Sequence, residues 1–297
     1  MSLINHCGFV AIVGRANVGK STLLNRLIGQ KISITSRKPQ TTRQQVLGIK
    51  TTADAQIVYI DTPGLHRGQG RALNRYMNRE ATRAIMDVDA VVFLIEALRW
   101  TEDDRFVFRQ IQGTSRPVIL AINKVDRVPE KPRLLPFLKE MGNLMDFAEI
   151  IPFSALTSAN IDALEAQIIT RLPIAPPFFP EDQVSDRGEL FFTAELIREK
   201  LLRKLSQEVP HRLSVIVDEF KVKKGVLHIH ATIWVERPGQ KQIVIGKGGA
   251  MLKAVGEEAR KDMERMFSEK VFLETWVKVK EDWSDDERAL QQLGFRD

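Results

Sequence analysis

The chain has 297 residues, 43% of them hydrophobic and 28% charged, with a formal net charge of +6. That length suits about two domains, and the composition excludes collagen-like, coiled-coil and wholly disordered chains. A single cysteine, Cys7, and no Cys/His cluster at zinc spacing argue against a disulfide-stapled secreted domain and a structural zinc module, and point to a reducing compartment. The start, MSLINHCGFVAIVG, has a short apolar run broken by His6 and Gly8 and no basic leader. No later stretch approaches the roughly 20 apolar residues that span a bilayer, so a cytoplasmic protein is expected.

In chain order, residues 8–13 read as a buried strand, a glycine-containing turn follows, and Leu23, Leu24 and Leu27 give residues 21–28 helical spacing. Compact apolar runs at 55–60, 90–95, 118–122 and 149–153 then alternate with helical patterns around 73–86, 103–112, 131–141 and 161–172. This rhythm predicts an α/β domain with a mostly parallel sheet covered by helices on both faces. Pro173, Pro176 and Pro177 stop the last helix and lead into a linker. The expected organisation is a first domain over 1–175, a linker over 176–186 and a second domain over 187–297. In the second domain, 191–205 carries an amphipathic helical pattern, 213–219 and 226–236 read as strands, 250–267 as a helix and 271–280 as a strand. This smaller domain is therefore α+β, and its acidic C-terminus reads as a short helix or a tail.

Residues 1–180 carry a net +7 and residues 181–297 a net −1, so the total hides the distribution. The first 53 residues hold eight basic and no acidic residues, and residues 221–253 hold seven basic residues against Glu236 alone. Both are candidate anion-facing surfaces, although such alternation is also that of a solvated face.

Gly14, Arg15, Ala16, Asn17, Val18, Gly19, Lys20 and Ser21 match GxxxxGK[ST], with Thr22 following, between an expected strand and an expected helix. Small residues let successive backbone N–H groups turn toward a β-phosphate, Lys20 reaches β/γ oxygens, and the Ser21 hydroxyl binds Mg2+ at the helix start. Asp61, Thr62, Pro63 and Gly64 follow the strand at 57–60, where Asp61, an acid at the sheet edge, can hold the metal through water, and Gly64 can bring its N–H to the γ-phosphate. Asn123, Lys124 and Asp126 follow the strand at 118–122. Asp126 can accept from both the N1–H and the exocyclic amino group of guanine, a donor pair adenine lacks. The Lys124 stem can cover the ring, and Asn123 can tie the nucleotide loops together.

These elements, in this order, resemble those of the translation-factor-related GTPases, with Ser154, Ala155 and Leu156 similar to their guanine-supporting loop. With KPQTTR at 38–43, DTPGLH at 61–66 and the C-terminal unit, essentially the whole chain resembles the Era family of ribosome-associated GTPases. The resemblance implies an α/β P-loop GTPase domain followed by a smaller type II KH domain. It places Thr41 and Thr42 in the first switch, with Thr42 favoured as Mg2+ ligand and γ-phosphate contact. Asn17 is similar to the asparagine of potassium-activated members, which adds K+ to GTP/GDP and Mg2+ among the cofactors.

The chemistry that suits this site is attack of water on the γ-phosphorus of GTP, giving GDP and phosphate. Lys20, Thr42, Asp61 and Gly64 would orient the groups and stabilise charge. Leu65 follows DTPG where many small GTPases have a water-positioning glutamine, and leucine cannot hydrogen-bond to water, so slow intrinsic turnover is expected. His66 reads as a switch or surface residue rather than a base.

Ile245, Gly246, Lys247, Gly248 and Gly249 form a GxxG element before the expected helix at 250–260. Its minimal interior permits close approach of a phosphate chain, and an adjoining apolar groove could hold about four unpaired nucleotides. By the family resemblance the target is the 3′ end of 16S ribosomal RNA, and the work is a GTP-controlled step in small ribosomal subunit maturation. Lys221, Lys223, Lys224, Lys241 and Lys253 could extend the phosphate-facing track. Trp234, Trp276 and Trp283 read as packing residues rather than a stacking platform. A peripheral membrane GTPase, using the basic helix at 198–204 at the inner membrane, is the alternative of a different class, and a membrane-associated fraction is expected beside the cytoplasmic one. A metabolic NTPase is a third reading, disfavoured by Asp126. No obligate homo-oligomer is evident in the sequence.

Overall fold

The apolar runs form β1 (His6–Val13), β3 (Ala55–Asp61), β4 (Ala90–Glu96), β5 (Val118–Asn123) and β6 (Glu149–Pro152), with a further strand, β2 (Val46–Thr51), before β3. The computed structural model describes residues 6–36, 38–65, 71–205 and 212–295; the readings made of the first five residues, of His66 and of the last two residues lie outside the described residues. The sheet runs in the order β2-β3-β1-β4-β5-β6, parallel throughout except for the antiparallel β2–β3 pair. Both faces of the central strands are buried, which explains their unbroken apolar runs.

Helices α1 (Lys20–Ile28), α2 (Ala72–Met86), α3 (Glu102–Ile111), α4 (Leu134–Gly142) and α5 (Ile161–Ile169) connect the strands. On one face Ala81, Val107, Phe108 and Met141 from α2, α3 and α4 pack with Val13, Phe93 and Leu120. Helices α1 and α5 pack against each other, and α1 against β2 and β3. The alternation of strands and helices thus yields the doubly covered, mostly parallel sheet expected. Strand β2 escaped the sequence reading because Gly48 interrupts its apolar run and Lys50 and Thr51 end it. Its outer edge is covered by the segment after the prolines. Val184 O accepts from Ile49 N (3.0 Å), Asp186 Oδ1 accepts from Leu47 N (2.9 Å), and Ser185 Oγ donates to Leu47 O (2.8 Å).

The C-terminal part follows as α6 (Glu189–Lys204), β7 (Leu213–Lys223), β8 (Val226–Val235), α7 (Pro238–Ile245), α8 (Ala250–Phe267), β9 (Val271–Val279) and α9 (Glu287–Gln292). Its sheet is ordered β7-β8-β9, with β7–β8 antiparallel and β8–β9 parallel. Leu196, Leu201, Val255, Ala259 and Met263 from α6 and α8 pack on one face of this sheet with Ile229, Ile233 and Val277. The short α7 was not assigned from sequence, since Pro238 and Gly239 open it and its apolar residues are few.

Contacts divide the chain into two units. One comprises Met1–Ser33, Thr42–Gly68 and Met77–Asp186; the other comprises Ile34–Thr41, Gln69–Tyr76 and Arg187–Asp297. Two short stretches of the N-terminal half therefore belong to the unit of α6–α9.

Candidate functional site

Residues 14–19 carry the chain from β1 into α1. Gly19 stands at φ 113°, and a Cβ there would lie 2.3 Å from Asn123 Nδ2, so glycine is required. Lys20 is buried and folds its ammonium back over the loop, donating to the carbonyls of Gly14 (2.9 Å) and Arg15 (3.0 Å). Burial, the largest influence, lowers its pKa to about 8; the Asp61 carboxylate opposes this and Arg15 adds to it. Gly64 comes against the same loop, where a Cβ would stand 3.1 Å from Ala16 N and 3.3 Å from Lys20 Nζ. Asn17 is exposed with φ 61°, Val18 is buried, and Thr22 is half-buried on the first turn of α1.

Asp61 closes β3 and is fully buried. Its Oδ2 accepts from Ser21 Oγ (2.8 Å), Ser33 Oγ (2.8 Å) and Thr42 Oγ1 (3.2 Å), and the hydroxyls of Ser21 and Thr42 are 2.8 Å apart. Its Oδ1 is buried without a hydrogen-bond partner. Burial, the main cause, raises the Asp61 pKa, while Lys20 and the three hydroxyls pull it back. A carboxylate with one unsatisfied oxygen, ringed by hydroxyls, is a hard oxygen donor set that fits Mg2+. Of these residues, Ser33 was not found from sequence, because nothing in its neighbours marks it.

Asn123, at the end of β5, joins three loops. Its Nδ2 donates to Val18 O (2.9 Å), and its Oδ1 accepts from Lys124 N (2.7 Å) and Ala155 N (3.0 Å). Lys124, at φ 67°, sends its Nζ to Asn17 O (3.0 Å) and Glu96 Oε2 (2.9 Å). Ser154 Oγ donates to Asp126 Oδ1 (2.6 Å), leaving the rest of this exposed carboxylate for a ligand. Arg26 donates to the carbonyls of Ala155 (3.2 Å) and Leu156 (3.0 Å), while the Leu156 side chain stays exposed.

The Arg15 side chain leaves the phosphate loop. Its guanidinium meets Glu96 Oε2 (2.7 Å) and Asp104 Oδ2 (3.2 Å), so only its backbone remains available to a phosphate. Glu96 joins Arg15 and Lys124. Burial is the largest single influence on its carboxyl and raises the pKa, but hydrogen bonds and charge from Lys124 and Arg15 prevail and hold it below the ordinary value. Sequence reading missed Glu96, although an acid at the carboxyl end of a parallel strand is the signal that could have found it.

In the C-terminal part, α7 ends at Gly246, whose φ of 73° and whose Cβ position 2.7 Å from Met251 Cβ require glycine. Lys247 and Gly248 are exposed beyond it, Ile245 and Gly249 are half-buried, and the N-terminus of α8 carries no side-chain cap. Open N–H groups at a helix start beside an exposed lysine form an anion-binding surface. Lys241 on α7 and Lys253 on the first turn of α8 flank this element. Lys221 and Lys223 lie instead on the last residues of β7, and Lys224 in the turn after it. Phe220 meets Phe267 with ring centroids 5.6 Å apart, which puts these three lysines beside the C-terminal end of α8. The helix length of 18 residues separates them from its start by about 27 Å. Trp283 is fully buried, whereas Trp276 is 42% exposed on the open face of the sheet beside His230.

Of the helix segment considered for a membrane contact, only Arg203 is exposed, and it pairs with Glu199, while Lys204 is half-buried and pairs with Glu258. Arg198, Glu199 and Lys200 are buried. Arg198 donates to Thr41 O and Glu195, Lys200 pairs with Glu199 and Asp262, and Thr35 N donates to Glu199 Oε1 (3.0 Å). Among the described residues no helix is long and apolar enough to cross a membrane.

Residues 9–124 match the family of 50S ribosome-binding GTPases, and residues 208–284 match the KH domain. The GTPase Era of Pseudomonas entomophila is 55% identical over 98% of this chain and 97% of its own length, and that of Pseudomonas putida KT2440 is 55% identical over 98% and 96%. Two solved structures superpose with a TM-score of 0.95 at 38% identity, covering 98% of this chain and 99% of theirs. One is Era in complex with MgGDPNP and nucleotides 1506–1542 of 16S ribosomal RNA; the other is a point variant of Aquifex aeolicus Era bound to GDP·AlF4−. With this fold and these motifs the chain is a P-loop GTPase carrying a C-terminal KH domain. It belongs to the Era family of GTPases.

Proposed function

We propose that the chain is a GTP-hydrolysing switch that binds single-stranded RNA at the 3′ end of 16S ribosomal RNA and assists maturation of the small ribosomal subunit. The observation that carries this reading is its likeness, along nearly its whole length, to the Era structure that holds both a GTP analogue and that RNA segment.

Under this reading the backbone of residues 14–19 and the Lys20 ammonium bind the phosphates, and Asp126, supported by Ser154, recognises guanine. Asn123 holds the three loops in register. Ser21, Thr42 and Asp61 would hold Mg2+, and Ser33 steadies the Asp61 carboxylate. Bound there, the cation supplies charge stabilisation to the phosphate oxygens. Gly64 presents its N–H near the γ-phosphate position, and Lys20 offsets charge on the bridging and terminal oxygens as the bond to the leaving GDP breaks. Leu65 offers no polar group to orient water, which supports slow intrinsic turnover. Asn17, exposed beside the loop, is the proposed K+ contact; faster hydrolysis in KCl than in NaCl would support it.

The RNA surface is the 245–249 element with Lys241 and Lys253, while the hairpin lysines at 221, 223 and 224 would reach a separate stretch of backbone. The test is binding of a 16S 3′-end oligonucleotide and of anionic vesicles, in parallel, with GDP and with a non-hydrolysable GTP analogue. The double variant Lys247→Asp, Gly248→Asp is expected to weaken RNA binding at least about tenfold through charge reversal and blocked approach, with GDP affinity unchanged. Unchanged RNA binding by this variant would remove the loop from the interface, and vesicle binding without RNA binding would favour the membrane reading.

A further inference from the structure

Glu96 ends β4 and lies beside Asn123, its register partner at the end of β5. Its carboxylate therefore stands at the carboxyl edge of the parallel sheet, where it meets both the phosphate loop and the guanine-reading loop. One oxygen, Oε2, accepts from Arg15 Nη2 (2.7 Å) and from Lys124 Nζ (2.9 Å). Lys124 Nζ also donates to Asn17 O (3.0 Å), and Arg15 Nε donates to Asp104 Oδ2 (3.2 Å). Asp104 is anchored in turn on the first turn of α3, where the same oxygen accepts from Thr101 N (2.9 Å). A continuous chain of charge-assisted bonds thus runs from α3 through Arg15 of the phosphate loop to the lysine of the guanine-reading motif. Arg15 and Asp104 are buried and the Glu96 side chain is only 15% exposed, so water and salt screen these pairs little.

Lys124 does not hold its geometry by itself. Its backbone is left-handed, at φ 67°, a conformation that a non-glycine residue keeps only where its surroundings impose it. Its ammonium sits on a flexible four-carbon stem, and that stem is the surface offered to the guanine ring. The Asn17 carbonyl and Glu96 fix the far end of the stem. Without the Glu96 charge, two cations that now lie within 2.9 Å of one oxygen would face each other, and like charges at such range repel. The ammonium would swing away and the stem with it. We propose that Glu96 is a positioning residue for guanine nucleotides: it pins the Lys124 stem, ties it through Arg15 to the phosphate loop, and so slows nucleotide release. The charged groups of this cluster pair with one another rather than with Ser21, Thr42 or Asp61, so the effect belongs to retention of the nucleotide and not to cleavage of the phosphate bond. This assignment rests on the GTPase reading above, which GDP binding by the wild type checks separately.

Release of ribose-labelled fluorescent GDP, chased with unlabelled GDP, is measured for the full-length protein and its Glu96→Gln, Lys124→Ala, doubly substituted and Arg15→Ala variants. Glutamine keeps the size of Glu96 and removes its charge. Glu96→Gln is expected to quicken release about tenfold, with association within about twofold and single-turnover hydrolysis of bound GTP within about threefold. In the Lys124→Ala background the same substitution is expected to change release by less than about twofold, since the group it positions is gone. A merely structural role would quicken release equally in both backgrounds, and that result would overturn the proposal, as would unchanged release in Glu96→Gln. Arg15→Ala cuts the tie to the phosphate loop but keeps the backbone donors, and is expected to quicken release about fivefold. It keeps the test open should Glu96→Gln fold poorly, and unchanged release there would remove Arg15 and the phosphate loop from the proposed device.

Discussion

At Asp61 and Asn123, single side chains carry several connections, and both were legible as motif positions before their partners were known. A pattern such as DTPG or NKxD names the residue whose chemistry the ligand needs, but the groups that hold that residue come from elsewhere in the chain. Ser33 and Glu96 are of this second kind. Glu96 has a pH consequence with a definite sign. Its folded pKa lies below the ordinary 4.5, so its ion pairs with Arg15 and Lys124 stabilise the native state above that value, and the contribution is lost as pH falls through the lowered one. The Glu96→Gln variant is expected to be less stable than wild type at neutral pH and to approach it as the solution is acidified below about 4.5. Denaturant midpoints measured for both proteins between neutral and acidic pH check this; a gap that stays constant with pH would assign the effect to packing instead.

At the scale of elements, α2 and α3 lie within a residue at either end of the spans that their periodicity predicts, whereas the short α7 has no such periodicity and was not assigned. Helix α3 opens with a capping box in which Thr101 Oγ1 accepts from Asp104 N (3.3 Å) and Asp104 Oδ2 accepts from Thr101 N (2.9 Å). Thr101→Ala is expected to cost about 1 kcal/mol of stability, by thermal or denaturant unfolding. Asp104 also meets Arg15, so the same change should disturb the phosphate loop less than Asp104→Ala does. Helix α2 has the opposite character: its cap comes from Asp285 and Ser284, which no local pattern could announce. Strand β2 was missed for a related reason, since its place is fixed by pairing with β3 and by the covering segment at 184–186 rather than by its own alternation.

For the whole molecule, division into a GTPase part and a KH part was legible from the order of motifs, because each motif demands a strand or helix terminus beside it. The membership of Ile34–Thr41 and Gln69–Tyr76 in the C-terminal unit was not. These segments bond to Arg198, Glu199, Glu236, Ser284 and Asp285. Hydrogen exchange in the intact protein is accordingly expected to change together at 35–36, 38–41, 72–76, α6 and 284–285 when GDP is replaced by a non-hydrolysable GTP analogue, while the strands β4 and β5 stay protected. Independent responses of these stretches would show that their shared contacts do not couple them.

The sequence by itself determined the phosphate loop, the motif of Asn123 and Asp126 at the end of β5, the GxxG element and the alternation that makes a parallel sheet, because each depends on spacing along the chain. Only the tertiary structure decided that three hydroxyls converge on Asp61, that Glu96 joins Arg15 to Lys124, that the hairpin lysines stand at the other end of α8 from Lys247, and that the C-terminus caps α2. Those partners are distant in sequence, and a hydrogen bond or ion pair between them requires the right residue types at the right places in space but leaves no periodicity in the chain that folds to form it.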